Sequence, residues 1–302
     1  MRKADDKPKS ALRFLSPFRY PGGKTSLRRY VLDWLVSLPT KPNIFVEPFA
    51  GGASVGLAVA DQNLVAKVIL IEKDPEVAAF WRVTFGRDAH KLVARIKSFA
   101  PGRRNVKKIL RGDENGDFES AFRCLVRNRF QFGGVMAPGA GLLREGEAEH
   151  GIASRWYADT LCDRIDALSE LARRVKVVEG DGLSHLRKYT SRSDAAMFID
   201  PPYVVDGKGP GSRLYKFNDV EPADIFEALV GSRASWMVTY HGHPKIRQLA
   251  ETVGFAVESI KVRTAHHTAK DEWIIHPPGI PTVGGDKCLT LGTTGLAVVA
   301  AK

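Results

Sequence analysis

The stretch "NIFVEPFAGGASVGLAVADQNLVAKVILIEKDP" occupies residues 43–75 and contains a complete structural unit. An apolar run over 43–49 is followed by Gly51 and Gly52, as expected where a buried strand enters a tight turn. A short helical segment comes next, and a second apolar run over 67–75 ends in acidic residues. A strand, a turn, a helix and a strand in this order predict a parallel sheet with helices packed on it.

The same alternation resumes in the last third of the chain. Apolar runs predict strands at 175–181, 195–203, 234–241, 256–262 and 272–278, and helical periodicity predicts helices at 221–230 and 244–253. A further helix is predicted over 25–39, where Pro39 ends it.

Between these two parts, residues 76–174 have a helical and strongly basic pattern with no strong strand. The simplest organisation is one α/β domain that is interrupted by a mostly helical insert. We therefore predict a flexible N-terminal segment (1–16), an α/β domain formed by 17–75 and 175–277, the insert (76–174), and a loose C-terminal tail (278–302).

The chain is basic. Its 302 residues include 45 Lys and Arg against 34 Asp and Glu, which gives a formal net charge of +11. A basic excess of this size favours a polyanionic partner such as nucleic acid, because neutralised phosphates release their counterions. The alternative is that the charge serves solubility alone.

The three cysteines, Cys124, Cys162 and Cys288, are scattered, and no CxxC pair or Cys/His cluster is present. A zinc site is therefore not expected, and a reducing compartment is. No apolar run approaches the roughly 20 residues that span a bilayer. The charged N-terminus lacks the apolar core of a signal peptide. These features predict a cytoplasmic protein without a membrane partner.

The turn after the first strand can bind a ligand. Glycines between a strand and a helix let the backbone approach a ligand, and the helix N-terminus carries positive potential. Glu72 ends the next strand, where an acidic side chain can accept hydrogen bonds from ribose hydroxyls. A plain tight turn and a solvated strand-end charge remain the alternatives.

A second glycine-containing stretch, "RYPGGKTS" at 19–26, is not a phosphate loop. That motif needs a glycine where this chain has Phe18, and it follows a buried strand, which is missing here. Gly22, Gly23 and Lys24 therefore have another use, or they form a turn before a helix.

The stretch "MFIDPPYVV" at 197–205 suggests the chemistry of the site. Asp200 ends an apolar strand, and Pro201 and Pro202 remove two backbone donors while leaving their carbonyls free to accept. A carboxylate beside such a carbonyl is a pair of acceptors that suits an NH₂ group, and Tyr203 offers a face to a planar ring. The turn is thus suited to an exocyclic amine on an aromatic base; a rigid turn with a solvated acid is the alternative.

These motifs together resemble a known family. "FRYPGGK", "VEPFAGGASVGL" and "DPPY" occur in the order of the Dam-like (D12 class, α-type order) adenine-N6 DNA methyltransferases. "LIEKDPEV", "SRW", "VKVVEGDGLSHL", "VTYHGHPKIRQLAE" and "KDEWIIHPP" extend the resemblance over roughly residues 17–277. It implies a Rossmann-like methyltransferase sheet that uses S-adenosylmethionine, with a helical target-recognition domain as the insert.

The resemblance also implies roles for individual residues. The residues that match cofactor-binding positions are Tyr20, Gly22, Gly23, Lys24, Glu47, Phe49, Gly51, Gly52, Glu72 and Asp181. The residues that match the catalytic loop are Asp200, Pro201, Pro202 and Tyr203. In this family the carboxylate and the first proline carbonyl accept the hydrogens of a flipped adenine's amino group, which readies N6 for the methyl group. No metal is expected.

The insert supplies residue types that contact DNA. Arg103, Arg104, Lys107 and Lys108 suit phosphates, and Arg127, Asn128, Arg129 and Gln131 can read base edges in the major groove. For each single residue a solvated helix face is the alternative. The chain has Phe132, Gly133 and Gly134 followed by "VMAPGAG" where GATC-reading members have Phe-Asn-Gly and Asn-Val-Pro, so GATC specificity is not carried over.

The main hypothesis is thus a site-specific DNA adenine-N6 methyltransferase. An RNA adenine-N6 methyltransferase with the same loop and a DNA-binding relative without activity are the alternatives. Double-stranded DNA is the expected partner, a cognate restriction endonuclease is a candidate partner, and the chain is expected to act as a monomer. His241 and His243 are predicted to have structural roles at a strand end, and His266 and His267 to lie in a loop.

Overall fold

The structure, a computed structural model, describes residues 12–20, 22–112, 116–137, 139–143, 151–203, 216–217, 219–263, 269–279, 287–288 and 299–300. Seven strands form one sheet with the order β3-β2-β1-β4-β5-β7-β6. They are β1 (Ile44–Glu47), β2 (Lys67–Glu72), β3 (Val175–Glu179), β4 (Ala195–Ile199), β5 (Ser235–His241), β6 (Ala256–Arg263) and β7 (Ala269–His276).

Helices connect these strands. They are α1 (Arg28–Ser37), α2 (Ser54–Asp61), α3 (Pro75–Thr84), α4 (Ala89–Ser98), α5 (Arg103–Arg111), α6 (Asp117–Phe130), α7 (Ala158–Ser169), α8 (Gly182–Tyr189), α9 (Pro222–Leu229) and α10 (Pro244–Thr252). Short 3-10 helices occur at Thr25–Leu27, Phe132–Gly134 and Gly151–Arg155.

Strands β1 to β5 are parallel, and β7 runs antiparallel between β5 and β6. The chain starts at β1, builds outward to β3, and then returns to β4 on the other side of β1. The strand order therefore reverses between β1 and β4, as in doubly wound sheets. The predicted α/β, Rossmann-like sheet is confirmed.

Helices cover both faces of the sheet, and successive side chains of a strand point to opposite faces. Each strand therefore contributes to two apolar cores. Phe45 packs in one core with α1 to α7, while its neighbour Val46 packs in the other core with α8 to α10. Phe198 and Ile199 divide between the cores in the same way. Burial on both faces explains why these strands are continuous apolar runs in the sequence.

The regular secondary structure of the described part of the insert is helical, apart from an isolated bridge between Gln131 and Leu142. Its first helix, α3, packs against β2 and β3 as a helix of the sheet layer. Phe122 and Ile165, from deeper in the insert, share one apolar core with Phe45 of β1. This core therefore joins the insert to the α/β domain on one face of the sheet. The domain boundaries remain a prediction.

The two ends of the chain differ from the simplest expectation. Leu15 is buried, and Ser16 Oγ donates a 2.6 Å hydrogen bond to the carbonyl of Gly52, so the chain is packed on the fold from before residue 17. In the predicted tail, β8 (Lys287–Cys288) pairs with β9 (Val299–Ala300), and β8 lies against β6. Residues 1–11 are outside the described residues. None of the described helices has the length and apolar character that crossing a bilayer requires.

Glu76 connects α3 to α6. Its carboxylate accepts hydrogen bonds from Arg123 Nε at 2.9 Å and from Arg127 Nε at 3.1 Å. The pKa of Glu76 is lowered, since these hydrogen bonds and charges outweigh the burial that opposes them. Removing the shared carboxylate leaves two partly buried cations without the anion that compensates their charge.

The Glu76→Gln variant should therefore lose about 2 kcal/mol in the free energy of unfolding, measured by urea denaturation. Glu251→Gln is the control, because Glu251 pairs with Arg247 in an exposed i,i+4 pair that contributes about 0.3–0.5 kcal/mol. Equal losses for the two variants would show that the Glu76 contacts do not stabilise the α3–α6 packing.

Candidate active site

A cleft opens at the carboxyl ends of β1, β2 and β4, beside the reversal of the strand order. Open α/β sheets bind their ligands at such a reversal. The empty volume of the cleft is about 1020 Å³. The predicted site residues in its wall are Tyr20, Gly23, Lys24, Glu47, Phe49, Gly51, Gly52, Glu72, Asp200 and Pro202. The other predicted catalytic and cofactor residues, Gly22, Asp181, Pro201 and Tyr203, directly flank wall residues in the chain.

The glycine turn is held from three sides. Gly51 N–H donates to Glu72 Oε2 at 2.8 Å, and Trp81 Nε1 donates to the Gly51 carbonyl at 2.9 Å. Gly51 has φ +46°, and a Cβ there would lie 2.7 Å from the ring of Tyr20. The turn therefore requires glycine for its backbone conformation and for the close approach of Tyr20.

Glu47 is a buried strand residue that caps a helix. Its Oε2 accepts the N–H of Gly56 at 2.8 Å, in the first turn of α2, whose own N-cap residue, Ala53, has no side chain that could accept. A Cβ at position 56 would lie 2.5 Å from this oxygen, which explains the glycine. Burial raises the pKa of Glu47 to about 8.

Glu72 lies at the end of β2, as the sequence predicted, and it is buried rather than solvated. Both of its oxygens accept from the backbone, Oε2 from Gly51 and Oε1 from Asp74, each at 2.8 Å. Burial raises the pKa of Glu72 to about 7, although these hydrogen bonds oppose the shift. Each carboxylate oxygen keeps a further lone pair, so Glu72 can hold the turn and still accept from a ligand in the cleft.

Asp181 has a different environment from the other acids. Its Oδ1 accepts the N–H of Ser184 at 2.9 Å and caps α8, and its Oδ2 lies 3.3 Å from Lys73 Nζ. Lys73 also pairs with Asp219 at 2.9 Å. Although burial opposes it, the pKa of Asp181 is lowered by Ser184 and Lys73. One wall of the cleft includes Lys73, Asp219 and Phe217. The Lys73–Asp219 ion pair therefore connects the end of β2 to the segment before α9 at this wall.

Lys24 is buried, and its three ammonium hydrogens have three acceptors. Nζ lies 2.9 Å from the Gly22 carbonyl, 2.9 Å from Asp200 Oδ1 and 3.2 Å from Glu272 Oε1. Burial alone would lower the pKa of Lys24, but the two carboxylates raise it above the usual lysine value. The ammonium is therefore charged and committed to the carboxylates, which leaves its aliphatic stem to line the cleft.

Asp200 uses its two oxygens differently. Oδ1 accepts from Thr239 Oγ1 at 2.7 Å, from Tyr203 Oη at 2.9 Å and from Lys24. Among the described residues, no donor contacts Oδ2. Burial raises the pKa of Asp200, Lys24 opposes this shift, and Glu272 adds to it. One oxygen thus anchors the side chain, and the other is left to accept a hydrogen from a ligand.

Sequence reasoning missed Thr239 and Glu272. Thr239 lies on β5 and Glu272 on β7, neighbouring antiparallel strands in which His241 is the register partner of Glu272. Tyr203 Oη makes a short hydrogen bond to Glu272 Oε1. In the sequence, Thr239 is a hydroxyl among apolar residues of β5, whereas Glu272 follows two other charged residues, Lys270 and Asp271, and nothing distinguishes it from them.

The ring of Tyr203 is already in contact with its neighbours. The Tyr240 ring lies 5.3 Å away at 31°, and the His241 ring lies edge-on at 4.7 Å. Lys24 Nζ lies over one face of the Tyr203 ring, 4.6 Å from the ring centroid.

His243 caps α10, where its Nδ1 accepts from Lys245 N–H at 3.3 Å. His266 and His267 are outside the described residues.

Helix α5 presents a basic surface. Val106 is its buried residue, whereas Arg104, Lys107 and Lys108 are exposed and Arg103 is half-buried. These four side chains were predicted to contact phosphates. Their exposure on one short helix leaves them accessible to a polyanion.

The four side chains that were predicted to read bases are placed otherwise. Arg127 pairs with Glu76. Asn128 is fully buried, where it accepts from Arg19 N–H at 2.8 Å and donates to the Gly134 carbonyl at 3.2 Å. Arg129 and Gln131 are buried as well. These contacts hold α6 against the segment before Tyr20, so this placement argues against base reading by Asn128, Arg129 and Gln131.

Arg129 nevertheless creates a positive region. It makes a short hydrogen bond to the Pro17 carbonyl, and its Nε has no hydrogen-bond partner among the described residues. Burial and, to a lesser degree, the nearby charges of Arg164, Arg19 and Arg155 together lower the pKa of Arg129 to about 9. In the described part of the chain, no three His, Cys, Asp or Glu side chains are placed to hold a metal ion.

The raised pKa values of Glu47 and Glu72 predict how stability depends on pH. Both acids have an ordinary value of 4.5 and folded values of about 8 and about 7. The folded protein therefore binds more protons than the unfolded chain between these values, and the stability that this contributes below about pH 4.5 is lost as the pH rises.

We expect the free energy of unfolding to fall between about pH 4.5 and about pH 8, and Glu47→Gln to make this fall shallower by about 2 kcal/mol or more. Glutamine keeps an oxygen for the Gly56 N–H. Glu170→Gln, at an exposed acid, is the control and should follow the parent. Denaturant titrations at several pH values measure the slopes, and equal slopes for Glu47→Gln and the parent would contradict the assignment.

Comparison with known proteins gives a family. A sequence model of the D12 class N6 adenine-specific DNA methyltransferases matches residues 20–266. No curated protein matches the chain. Among solved structures, a precorrin-6y C5,15-methyltransferase from Geobacter metallireducens GS-15 is similar with 13% identity and a TM-score of 0.33, over 80% of this chain and 83% of that one.

The methyltransferase domain of bacterial-CtHen1-CN is similar with 10% identity and a TM-score of 0.35, over 84% of this chain and 99% of that domain. The family assignment rests on the sequence match, which spans the glycine turn, the insert, the Asp200 turn and most of the closing strands. The chain belongs to the D12 class N6 adenine-specific DNA methyltransferase family, and it is a methyltransferase.

Proposed function

We propose that this protein transfers a methyl group from S-adenosylmethionine to N6 of an adenine that is flipped out of double-stranded DNA. The observation that carries the proposal is the state of Asp200. Its Oδ1 is held by three donors, its Oδ2 has no donor among the described residues, and it borders the cleft. Such a carboxylate is prepared to accept one more hydrogen.

The cleft suits the cofactor. The buried carboxylates of Glu72 and Asp74 can accept from ribose hydroxyls, and the rings of Phe49 and Phe217 offer apolar faces. The residues proposed to hold the cofactor are Tyr20, Gly22, Gly23, Lys24, Glu47, Phe49, Gly51, Gly52, Glu72 and Asp181. When bound, S-adenosylmethionine supplies a methyl group that is activated by a sulfonium.

The chain's own residues prepare the amine. The lone pair of adenine N6 is delocalised into the ring, so the amino group is a poor nucleophile. Asp200 Oδ2 and the Pro201 carbonyl accept its two hydrogens, which favours a pyramidal nitrogen with a localised lone pair. The same acceptors stabilise the positive charge that N6 acquires, and such preorganised electrostatics usually contribute most to catalysis.

Pro201 and Pro202 serve this arrangement by what they lack. Neither has a backbone N–H, so no main-chain donor of theirs competes with the substrate for Asp200. Tyr203 is proposed to contact the flipped base. Flipping costs a few kcal/mol of unstacking, and contact with an aromatic ring offsets part of it.

The basic surfaces support a nucleic-acid substrate. Helix α5 presents Arg104, Lys107 and Lys108 to solvent, and the chain carries a formal net charge of +11. An RNA adenine-N6 methyltransferase and a DNA-binding relative without activity remain the alternatives. A cognate restriction endonuclease as partner and a monomeric state remain predictions.

Labelled cofactor separates these functions. Purified protein is incubated with methyl-labelled S-adenosylmethionine and either duplex DNA or RNA, and the product is digested to nucleosides. The proposal expects N6-methyladenine in DNA. Label in RNA alone would favour the RNA alternative, and duplex binding without label would favour the inactive relative.

Replacing Asp200 tests its role. Asp200→Asn should lower the single-turnover rate of methyl transfer by about 10²–10³-fold or more, because the anion that faces the amine is lost, whereas the cofactor dissociation constant should change little. Calorimetry measures cofactor binding, and rapid quench measures the rate. A variant that methylates near the parent rate would refute the assignment.

The basic surface of α5 predicts a salt effect. Arg104→Ala combined with Lys108→Ala should weaken DNA binding for all sequences and reduce the slope of log K against log salt by about 2, since each phosphate contact contributes about 0.9. The control is Arg187→Ala combined with Lys188→Ala, which removes the same charge from exposed positions on α8 at the other face of the sheet. Equal slopes for the two variants would remove α5 from the DNA interface.

A further inference from the structure

Two largely buried carboxylates, with side chains 19% (Asp200) and 14% (Glu272) exposed, share one cation and one hydroxyl at the proposed methyl-transfer site. Lys24 Nζ lies 2.9 Å from Asp200 Oδ1 and 3.2 Å from Glu272 Oε1. Tyr203 Oη lies within hydrogen-bond reach of the same two oxygens. The side chain of Glu272 is 14% exposed and that of Lys24 is 9% exposed, so solvent screens these charges little.

The sheet brings Glu272 to this place. Asp200 follows β4, Thr239 lies on β5, and Glu272 lies on β7, the antiparallel neighbour of β5. Thr239 donates to Asp200 Oδ1. Glu272 thus lies close to the Asp200 carboxylate from two strands away in the sheet, although the two residues are far apart in the sequence.

Glu272 changes the charge that the substrate meets. Lys24 and Asp200 alone would form a formally neutral pair, and a neutral pair stabilises a cation at N6 poorly. With Glu272, one cation faces two anions, so the group carries a net charge of −1. Lys24 is also divided between two acceptors, which weakens its hold on Asp200.

The hydroxyl of Tyr203 acts in the same direction. A phenol has one hydrogen, so it donates to only one of the two carboxylates at a time. Burial and the two carboxylates raise the pKa of Tyr203 well above its usual value, so the hydroxyl stays protonated. When the hydroxyl donates its hydrogen bond to Glu272, Asp200 Oδ1 has one donor fewer and keeps more negative charge.

We propose that Glu272 is a positioning residue of methyl transfer, which holds Lys24 and Tyr203 so that Asp200 meets the amino group as part of a group with a net charge of −1. This inference rests on the proposed function for its effect on rate. Its electrostatic part, the coupling of Glu272 to Asp200, concerns the protein without any substrate.

The coupling has a direction. The groups that act on Asp200 are Lys24 from the N-terminal segment, Glu47 of β1, Tyr203 from its own turn, Thr239 and Tyr240 of β5, and Glu272 of β7. His241 of β5 contacts the ring of Tyr203. Burial raises the pKa of Asp200 and Glu272 raises it further, against Lys24. Loss of the Glu272 charge should therefore move the Asp200 titration to lower pH.

The test compares Glu272→Gln, Glu272→Asp and Asp271→Asn. Glutamine keeps the volume and removes the charge, aspartate keeps the charge, and Asp271 is an exposed acid at the preceding position of β7. One readout is the ¹³C carboxyl titration of Asp200, assigned with Asp200→Asn. The others are the single-turnover rate, its pH profile, and the dissociation constants of cofactor and duplex DNA.

For Glu272→Gln we expect the Asp200 midpoint to shift to lower pH and methyl transfer to slow by about 100-fold. Both dissociation constants should stay within about threefold of the parent values. Glu272→Asp should recover part of the rate, and Asp271→Asn should match the parent. An unchanged Asp200 midpoint, or a Glu272→Gln rate within about threefold of the parent, would overturn the inference.

The outcomes for the two proposals are separable. If the parent transfers no methyl group to DNA or RNA, the proposed function fails. The Asp200 titration in the parent and in Glu272→Gln then still decides whether Glu272 sets the charge of Asp200. If the parent methylates DNA and Glu272→Gln does so equally well, the inference fails and the proposed function stands.

Discussion

Lys24 joins two carboxylates that the chain places far apart, Asp200 after β4 and Glu272 on β7. Burying two anions close together is costly unless a cation and hydrogen bonds compensate them. Lys24 supplies the cation from the segment that precedes α1, so that segment must lie across the carboxyl edge of the sheet. The packing of Leu15 and the hydrogen bond of Ser16 to Gly52 keep it there.

The same edge of the sheet buries further acids. Glu47 caps α2 and Glu72 holds the glycine turn, and both have pKa values raised by burial. These side chains have a structural use and also line the cleft. Since a ligand with hydroxyl groups or positive charge favours their ionised form, the binding of such a ligand in the cleft would be coupled to the ionisation of this edge. The acids therefore connect the stability of the fold to the function of the cleft.

The insert serves both the core and the surface. Its inner residues share an apolar core with β1, and Glu76 fastens α6 to α3 through two arginines. Because α6 is fixed in this way, Asn128 and Arg129 can support the segment that leads to Tyr20 and Lys24. Cations that are exposed, above all on α5, remain for the polyanion that the net charge of +11 favours.

The sequence by itself determined the strands of the sheet, the glycine turn, the Asp200 turn and the family. These features depend on local patterns, such as apolar runs, glycines in turns and prolines without backbone donors. Such patterns are visible in the sequence itself. Most of the predicted cofactor residues line one cleft, because the ends of parallel strands meet at one edge.

Only the tertiary structure decided which polar side chains meet. Thr239 and Glu272 reach Asp200 because β5 and β7 are neighbours in the sheet, and Lys24 was committed to carboxylates that the sequence could not place beside it. Burial separated Asn128, Arg129 and Gln131 from the exposed cations of α5, although all are polar in the sequence. The physical reason is that burial and pairing depend on which residues are neighbours in the folded structure. The type of a polar residue does not specify those neighbours.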